Sequence, residues 1–408
     1  MARKRSDVFS PEALAHVAAE PTKTVRERVL EIATQLESSF VGRKEAITAM
    51  VLAHLAGEHY LFVGEPGTAK SALATAFASH IVGAKKFKIT LGSFTPPEAV
   101  FGPLDIEEFT VAKRYVHATE NMAPEADLCM FDECFKGSDG LINSFLTLLN
   151  EREFAGEKTP LHCAGLATNW PELESRSDNV KALYDRALLR VAVEELSEVS
   201  DVVAMLRAID GVRSYAPQTT ITMDELRAVS IEARQIPICE PVRELLAQVR
   251  NRLAFKTDSS GTRRPHIAIS ARRLGQLQHV LRVAAWLDGA EQVTVEHFGV
   301  LRFGLWNDRR DIESVNAVLN SVDSDQVRKI IALVDQGRQA IKQLQQDGRT
   351  PANFNRTSDI VRRAAVAARE EFDKPLLTKQ GREDARKAIQ GIRADFHAMM
   401  ANSGSESE

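Results

Sequence analysis

Four apolar residues, Tyr60-Leu61-Phe62-Val63, run without a break into Gly64-Glu65-Pro66-Gly67-Thr68-Ala69-Lys70-Ser71. A short apolar run that stops at glycine reads as a strand buried on both faces of a parallel sheet. The residues from Ser71 to Ile81 then read as a helix. Between strand and helix, such a loop turns backbone N–H groups toward one point, where phosphate oxygens are held. Its lysine reaches the outer phosphates and its hydroxyl ligates Mg²⁺. Ala69 departs from this pattern, which has glycine there, so the loop's backbone angles must tolerate a methyl group.

A second signal lies downstream in Leu128-Cys129-Met130-Phe131-Asp132-Glu133, four apolar residues closed by two carboxylates. Ligand and metal sites of open parallel sheets gather at the carboxyl ends of strands. Asp132 is therefore expected to join Ser71 in holding Mg²⁺, and Glu133 to orient or deprotonate a water. Asn169 follows the next strand, His162 to Ala167, and its amide can reach the same edge, although asparagine there is also a common turn former. Arg186 and Arg190 stand at helical spacing at the end of this α/β part. Either one neutralises charge on a transferring phosphoryl group from a neighbouring subunit, or both form ion pairs with Asp185 or Glu194. Arg272 and Arg273 open a helix behind Ser270. Adjacent helix positions point apart, so one faces inward, and Arg272 is the expected one.

Around these motifs the chain alternates strand and helix, which implies a parallel sheet covered on both faces. Two helices, from Thr24 and after Gly42, precede the first strand. The stretch between Leu91 and Ala126 exceeds one crossover, and its alternating run Phe109 to His117 predicts an inserted hairpin. After about Val193 helical periodicity dominates, with cap signals at Thr222 and Ser270. The expected organisation is an appendage at 1–20, an α/β domain at 21–195, an all-helical domain at 196–308, a helical extension at 309–400 and a polar tail at 401–408.

The 408 residues carry 52 Lys+Arg against 56 Asp+Glu, so no overall basic field holds a polyanion. No apolar stretch reaches the roughly 18 residues of a membrane span, and the basic start leads into Asp7 and Pro11 rather than an apolar signal core. A soluble, cytoplasmic protein is expected. Cys129, Cys134, Cys163 and Cys239 form no C-x-x-C pair and are read as reduced, buried thiols.

In this order, a phosphate loop, an acidic strand end, an asparagine, an arginine and a helical region with a further arginine resemble the AAA+ ATPases. More narrowly, the chain resembles the MoxR group and its RavA-type regulatory ATPases. The strings that carry the likeness are Phe40-Val41-Gly42-Arg43, Gly67-Thr68-Ala69-Lys70-Ser71, 95–104 (TPPEAVFGPL), Phe131-Asp132-Glu133, 148–154 (LLNEREF) and Leu183-Tyr184-Asp185-Arg186. It runs from about Thr24 to Asp308, and alanine at position 69 is common in the group.

The resemblance implies an AAA+ P-loop sheet with helices on both faces, an all-helical lid and Mg²⁺-dependent ATP hydrolysis in a hexameric ring. ATP would lie against Val41, Gly42 and the Gly64–Ser71 loop, with Lys70, Ser71, Asp132, Glu133 and Asn169 acting in cis. Arg186 would act in trans and Arg272 as a second sensor. An insert at 94–124 and a hairpin at 153–160 would face partner or substrate. A separate von Willebrand factor A protein is the implied partner and a protein the implied client. The string 258–262 (DSSGT) is read as a turn, not as that partner's metal motif. The rival readings are a nucleic-acid motor, disfavoured because Arg362-Arg363 is followed by Glu370-Glu371 rather than extended into a basic stripe, and a switch that binds ATP without hydrolysing it.

Overall fold

A capping box opens the first helix of the computed structural model, which describes residues 23–170, 178–211, 215–257, 263–347 and 350–401. The Thr24 hydroxyl accepts the Glu27 N–H while the Glu27 carboxylate accepts the Thr24 N–H, satisfying two donors that a helix start leaves over. This helix, α1 (Val25–Ser39), buries Val29, Ile32 and Leu36. Next, α2 (Lys44–Ala56) is apolar and buried on almost every side.

All five residues of β1 (His59–Val63) are buried, as a central strand of a covered sheet requires. There follow α3 (Lys70–Ser79), β2 (Ile81–Val82), β3 (Lys86–Thr90), α4 (Glu98–Phe101), α5 (Ile106–Thr110), β4 (Leu128–Asp132) and α6 (Asp139–Glu151). Then come β5 (Glu153–Phe154), β6 (Glu157–Lys158), β7 (Cys163–Thr168), α7 (Asp178–Arg186) and β8 (Ala187–Ala192). Five strands make one sheet in the order β3-β4-β7-β1-β8. Parallel register sets Thr90 opposite Asp132 and Phe131 opposite Leu166, and α3 packs on β4 and β7. This is the AAA+ α/β architecture that the resemblance implied.

Helices dominate the rest: α8 (Val199–Gly211), β9 (Ile221–Thr222), α9 (Met223–Ala233), α10 (Glu240–Ala254), β10 (Phe255–Thr257), β11 (Arg263–Pro265) and α11 (Ala271–Asp288). A 3₁₀ segment, Val295–Phe303, leads into three long helices, α12 (Asp311–Asp347), α13 (Pro351–Asp373) and α14 (Lys379–Ala401). Ile330, Val334, Val361, Ala368, Ile389 and Ile392 form part of the core of these three. Two compact units result, one of residues up to His54 with Phe62–Tyr184 and Val193–Ala228, the other of Leu55–Leu61, Asp185–Ala192 and the chain from Val229.

Several expectations are corrected. The run Phe109 to His117 forms no hairpin. Asp105 caps α5 by accepting the Glu107 and Glu108 N–H groups, and the loop closes through a single bridge between Leu104 and His117. Its alternating residues Phe109, Val111 and Tyr115 are exposed, so no sheet face holds them extended. The helical region is not purely helical, since β10 and β11 pair as an antiparallel ribbon. Arg186 and Arg190 do not share a helix, because α7 stops at Arg186 and Arg190 lies inside β8. By contrast the hairpin expected at 153–160 is present as β5 and β6, turning through Ala155 and Gly156 at φ 50° and 86°. The appendage at 1–20, the string 258–262 and the tail from 402 onward lie outside the described residues.

Candidate active site

The phosphate loop leaves β1 and enters α3 through two left-handed residues, Gly67 at φ 85° and Ala69 at φ 66°. Lys70 lies over the loop, its ammonium donating to Gly64 O (2.8 Å) and Glu65 O (2.9 Å). The Thr68 hydroxyl donates to Glu65 O (2.9 Å), tying the turn across its own base. Gly64 has no room for a side chain, because a Cβ there would stand 2.0 Å from the Val193 carbonyl oxygen. That clash is with backbone and cannot be relieved by a rotamer change.

Ala69 is the strained member. A left-handed alanine costs about 1–2 kcal/mol against a right-handed one, and glycine there loses part of that gain through its freer unfolded chain. Ala69→Gly is therefore expected to raise stability by about 0.5–1 kcal/mol, read as a higher urea midpoint; a lower midpoint would show that the methyl group contributes packing that outweighs the strain.

The ends of three strands meet beside the loop. At the tip of β7 the Thr168 carbonyl accepts the Gly64 N–H (3.2 Å) and the Ala167 carbonyl accepts the Cys134 N–H (2.9 Å). The phosphate loop and the residues after β4 are thus both laced to β7, and Asn169 directly follows it. The Ser71 hydroxyl, in the first turn of α3, donates to the Asp132 carboxylate at the end of β4. Two hard oxygen ligands therefore sit side by side, a donor set that fits Mg²⁺ with its other positions left to phosphate and water.

Glu133 follows at φ 52°, an uncommon conformation for glutamate, and its N–H donates to Asp132 Oδ1 (3.0 Å). Lys136 Nζ approaches the buried Glu133 Oε2 to 3.3 Å, outside hydrogen-bond geometry. The turn between α1 and α2 adds Val41 and Gly42, the latter at φ 70° with Leu196 filling the space a Cβ would need. Arg43 was not singled out as a site residue by the sequence reading, although its string FVGR was. Its guanidinium donates to Thr68 O (3.2 Å) and Glu194 O (2.8 Å), bracing the phosphate loop from outside.

Arg186 ends α7 and is half-buried. Arg190 is fully buried, donating to Ala187 O (3.0 Å) and Trp306 O (2.6 Å), and it approaches Asp185 at 3.6 Å. It is the structural member of the pair. The expectation for the second pair is reversed: Arg272 is exposed and Arg273 turns inward, bonded to Asp185 (2.9 Å) and to Asn307 (2.6 Å). Ser270 caps the Arg273 N–H, and the buried face of the helix then falls on Arg273 and Leu277.

Residues 27–231, half of the chain, match the family model of the MoxR domain in MoxR-vWA-beta-propeller ternary systems, and residues 241–319 match an AAA lid domain. An uncharacterized protein of Methanocaldococcus jannaschii is 30% identical over 312 residues, 75% of this chain and 77% of its own length. A second from the same organism is 29% identical over 299 residues, 72% of this chain and 75% of its own. A solved structure from Cytophaga hutchinsonii, provisionally named an ATPase, shares the fold with a TM-score of 0.56 at 15% identity, across 73% of this chain and 94% of that one. Among the described residues no helix is long and apolar enough to cross a membrane. The chain belongs to the MoxR family of AAA+ ATPases.

Proposed function

We propose that this protein hydrolyses ATP with Mg²⁺ and, as a hexameric ring, uses the cycle to remodel or activate a protein client. The observation that carries the reading is the Ser71–Asp132 contact, at the foot of a glycine loop that Lys70 covers. The loop N–H groups and Lys70 bind the phosphates, while Val41 and Gly42 lie against the rest of the nucleotide. Ser71 and Asp132 would hold Mg²⁺, which would supply positive charge to offset that of the phosphates. Glu133 takes up a proton from the attacking water or orients it, and Asn169 fixes that water from the end of β7. Arg186 completes the site of a neighbouring subunit, and Arg272, exposed at the start of α11, is the residue proposed as a second sensor.

The matching family model is described from systems that join a MoxR domain to vWA and β-propeller proteins. Partners of those two kinds are proposed here, with regulatory character like that of the RavA-type enzymes and a cytoplasmic setting.

The test of the shared site is Arg186→Ala. An arginine supplied in trans is worth about 10³–10⁵ in turnover, so hydrolysis should all but vanish while ATP binding persists. The wild-type rate per subunit should also rise with protein concentration. A rate independent of concentration, with Arg186→Ala fully active, would refute sharing of the site.

A further inference from the structure

We propose that Arg273 is a positioning residue for Arg186, acting through Asp185, so that its loss disables the trans side of each hydrolytic site. The inference rests on the reading of Arg186 as the arginine given to a neighbouring subunit.

Asp185 immediately precedes Arg186 in the last turn of α7. Its Oδ1 accepts Arg273 Nη2 at 2.9 Å and lies 3.6 Å from Arg190 Nη2. The burial is lopsided: the Arg190 and Arg273 side chains are 0% and 8% exposed, whereas that of Asp185 is 61% exposed. A buried guanidinium persists only where its N–H groups are satisfied, and both are tied to fixed acceptors. Arg190 bonds Trp306 O (2.6 Å), Arg273 bonds Asn307 Oδ1 (2.6 Å), and Arg190 also reaches that oxygen at 3.4 Å. Asn307 is itself held, its amide donating to Ala268 O (3.0 Å) and its backbone N–H to Asp311 (3.0 Å).

Two anchored cations therefore grip one exposed carboxylate, and the held partner is Asp185. One peptide further on, helix gives way to β8 at Ala187, so Asp185 and Arg186 form the last residues of the helix before the strand. Gripping Asp185 fixes the direction in which Arg186 leaves α7. Without Arg273 only the longer Arg190 approach remains. Arg272, the exposed neighbour, makes no part of this grip.

Subunit mixing separates the trans side from the cis side. Lys70→Ala has no working phosphate loop but a sound Arg186, and Arg186→Ala has the reverse, so their mixture should exceed either alone by at least tenfold. Full-length Arg273→Met should lose at least tenfold alone, regain activity when mixed with Lys70→Ala, and stay inactive with Arg186→Ala. Asp185→Asn, a milder change at an exposed position, should repeat that pattern, and Arg273→Lys should restore part of the activity.

Rescue of Arg273→Met by Arg186→Ala and not by Lys70→Ala would make Arg273 a cis element and overturn the proposal. Two inactive mixtures, with Asp185→Asn normal, would reduce Arg273 to a folding role and overturn it as well. If Lys70→Ala and Arg186→Ala fail to complement each other, the reading of Arg186 falls first, and the proposal with it.

Discussion

Glu133→Gln is expected to keep ATP bound and to cut hydrolysis about 10²–10⁴-fold, the usual contribution of a positioned general base. The substitution keeps the size of the side chain and removes its charge. Glu133 owes its place to the backbone: β4 ends at Asp132, the Glu133 N–H turns back onto the Asp132 carboxylate, and φ 52° throws the side chain out of line with the strand. A residue held in an uncommon conformation at a sheet edge is a common mark of function. Asp132 and Ser71 are untouched by the change, so the metal and phosphate contacts proposed for them should persist. Single-turnover hydrolysis and nucleotide retention, measured together, test this. A full rate would place the proton acceptor elsewhere.

Acid should destabilise the protein before its carboxylates titrate. His54 donates from Nδ1 to Met50 O (2.8 Å) within α2, and His162 donates from Nε2 to His54 O (2.7 Å). His279 sits 3.2 Å from the Ser230 hydroxyl. Burial, the leading cause at all three, pushes His54 down to about 3 and His162 and His279 to about 4.

The folded values lie below the value of about 6.5 expected for an unfolded chain, so the unfolded state takes up protons first. Their contribution to stability is intact above about pH 6.5 and is lost as pH falls toward 4. At about pH 5 the loss approaches about 2 kcal/mol per histidine. Urea midpoints taken between about pH 7.5 and pH 5 should fall steeply, and the slope should be smaller in His162→Gln. A flat profile would mean that these rings meet solvent in the folded protein.

Much of the site was legible because its chemistry is local. The apolar run ending at Gly64, the lysine and hydroxyl behind it, and the carboxylates closing Leu128–Asp132 are each contiguous strings whose geometry follows from one strand end. Features that depend on distant partners were not. Arg190 interrupts an apolar run and suggested a helix surface, yet it lies in a strand because the carbonyl of Trp306, far along the chain, satisfies it.

Helical spacing separates Arg272 from Arg273 but does not say which turns inward, since that depends on Asp185 and Asn307. The brace from Arg43 to the loop joins residues 25 apart and leaves no periodic trace. Phe109 to His117 shows the opposite error, alternation without a sheet to receive it.

The most direct test of the account is phosphate release from ATP, followed with Mg²⁺ and with the metal chelated, in wild type and in Lys70→Ala. Wild type should release phosphate only with Mg²⁺, and Lys70→Ala should release essentially none. Release undiminished by chelation or by Lys70→Ala, or none from wild type at any protein concentration, would contradict an ATP-hydrolysing site built on this loop.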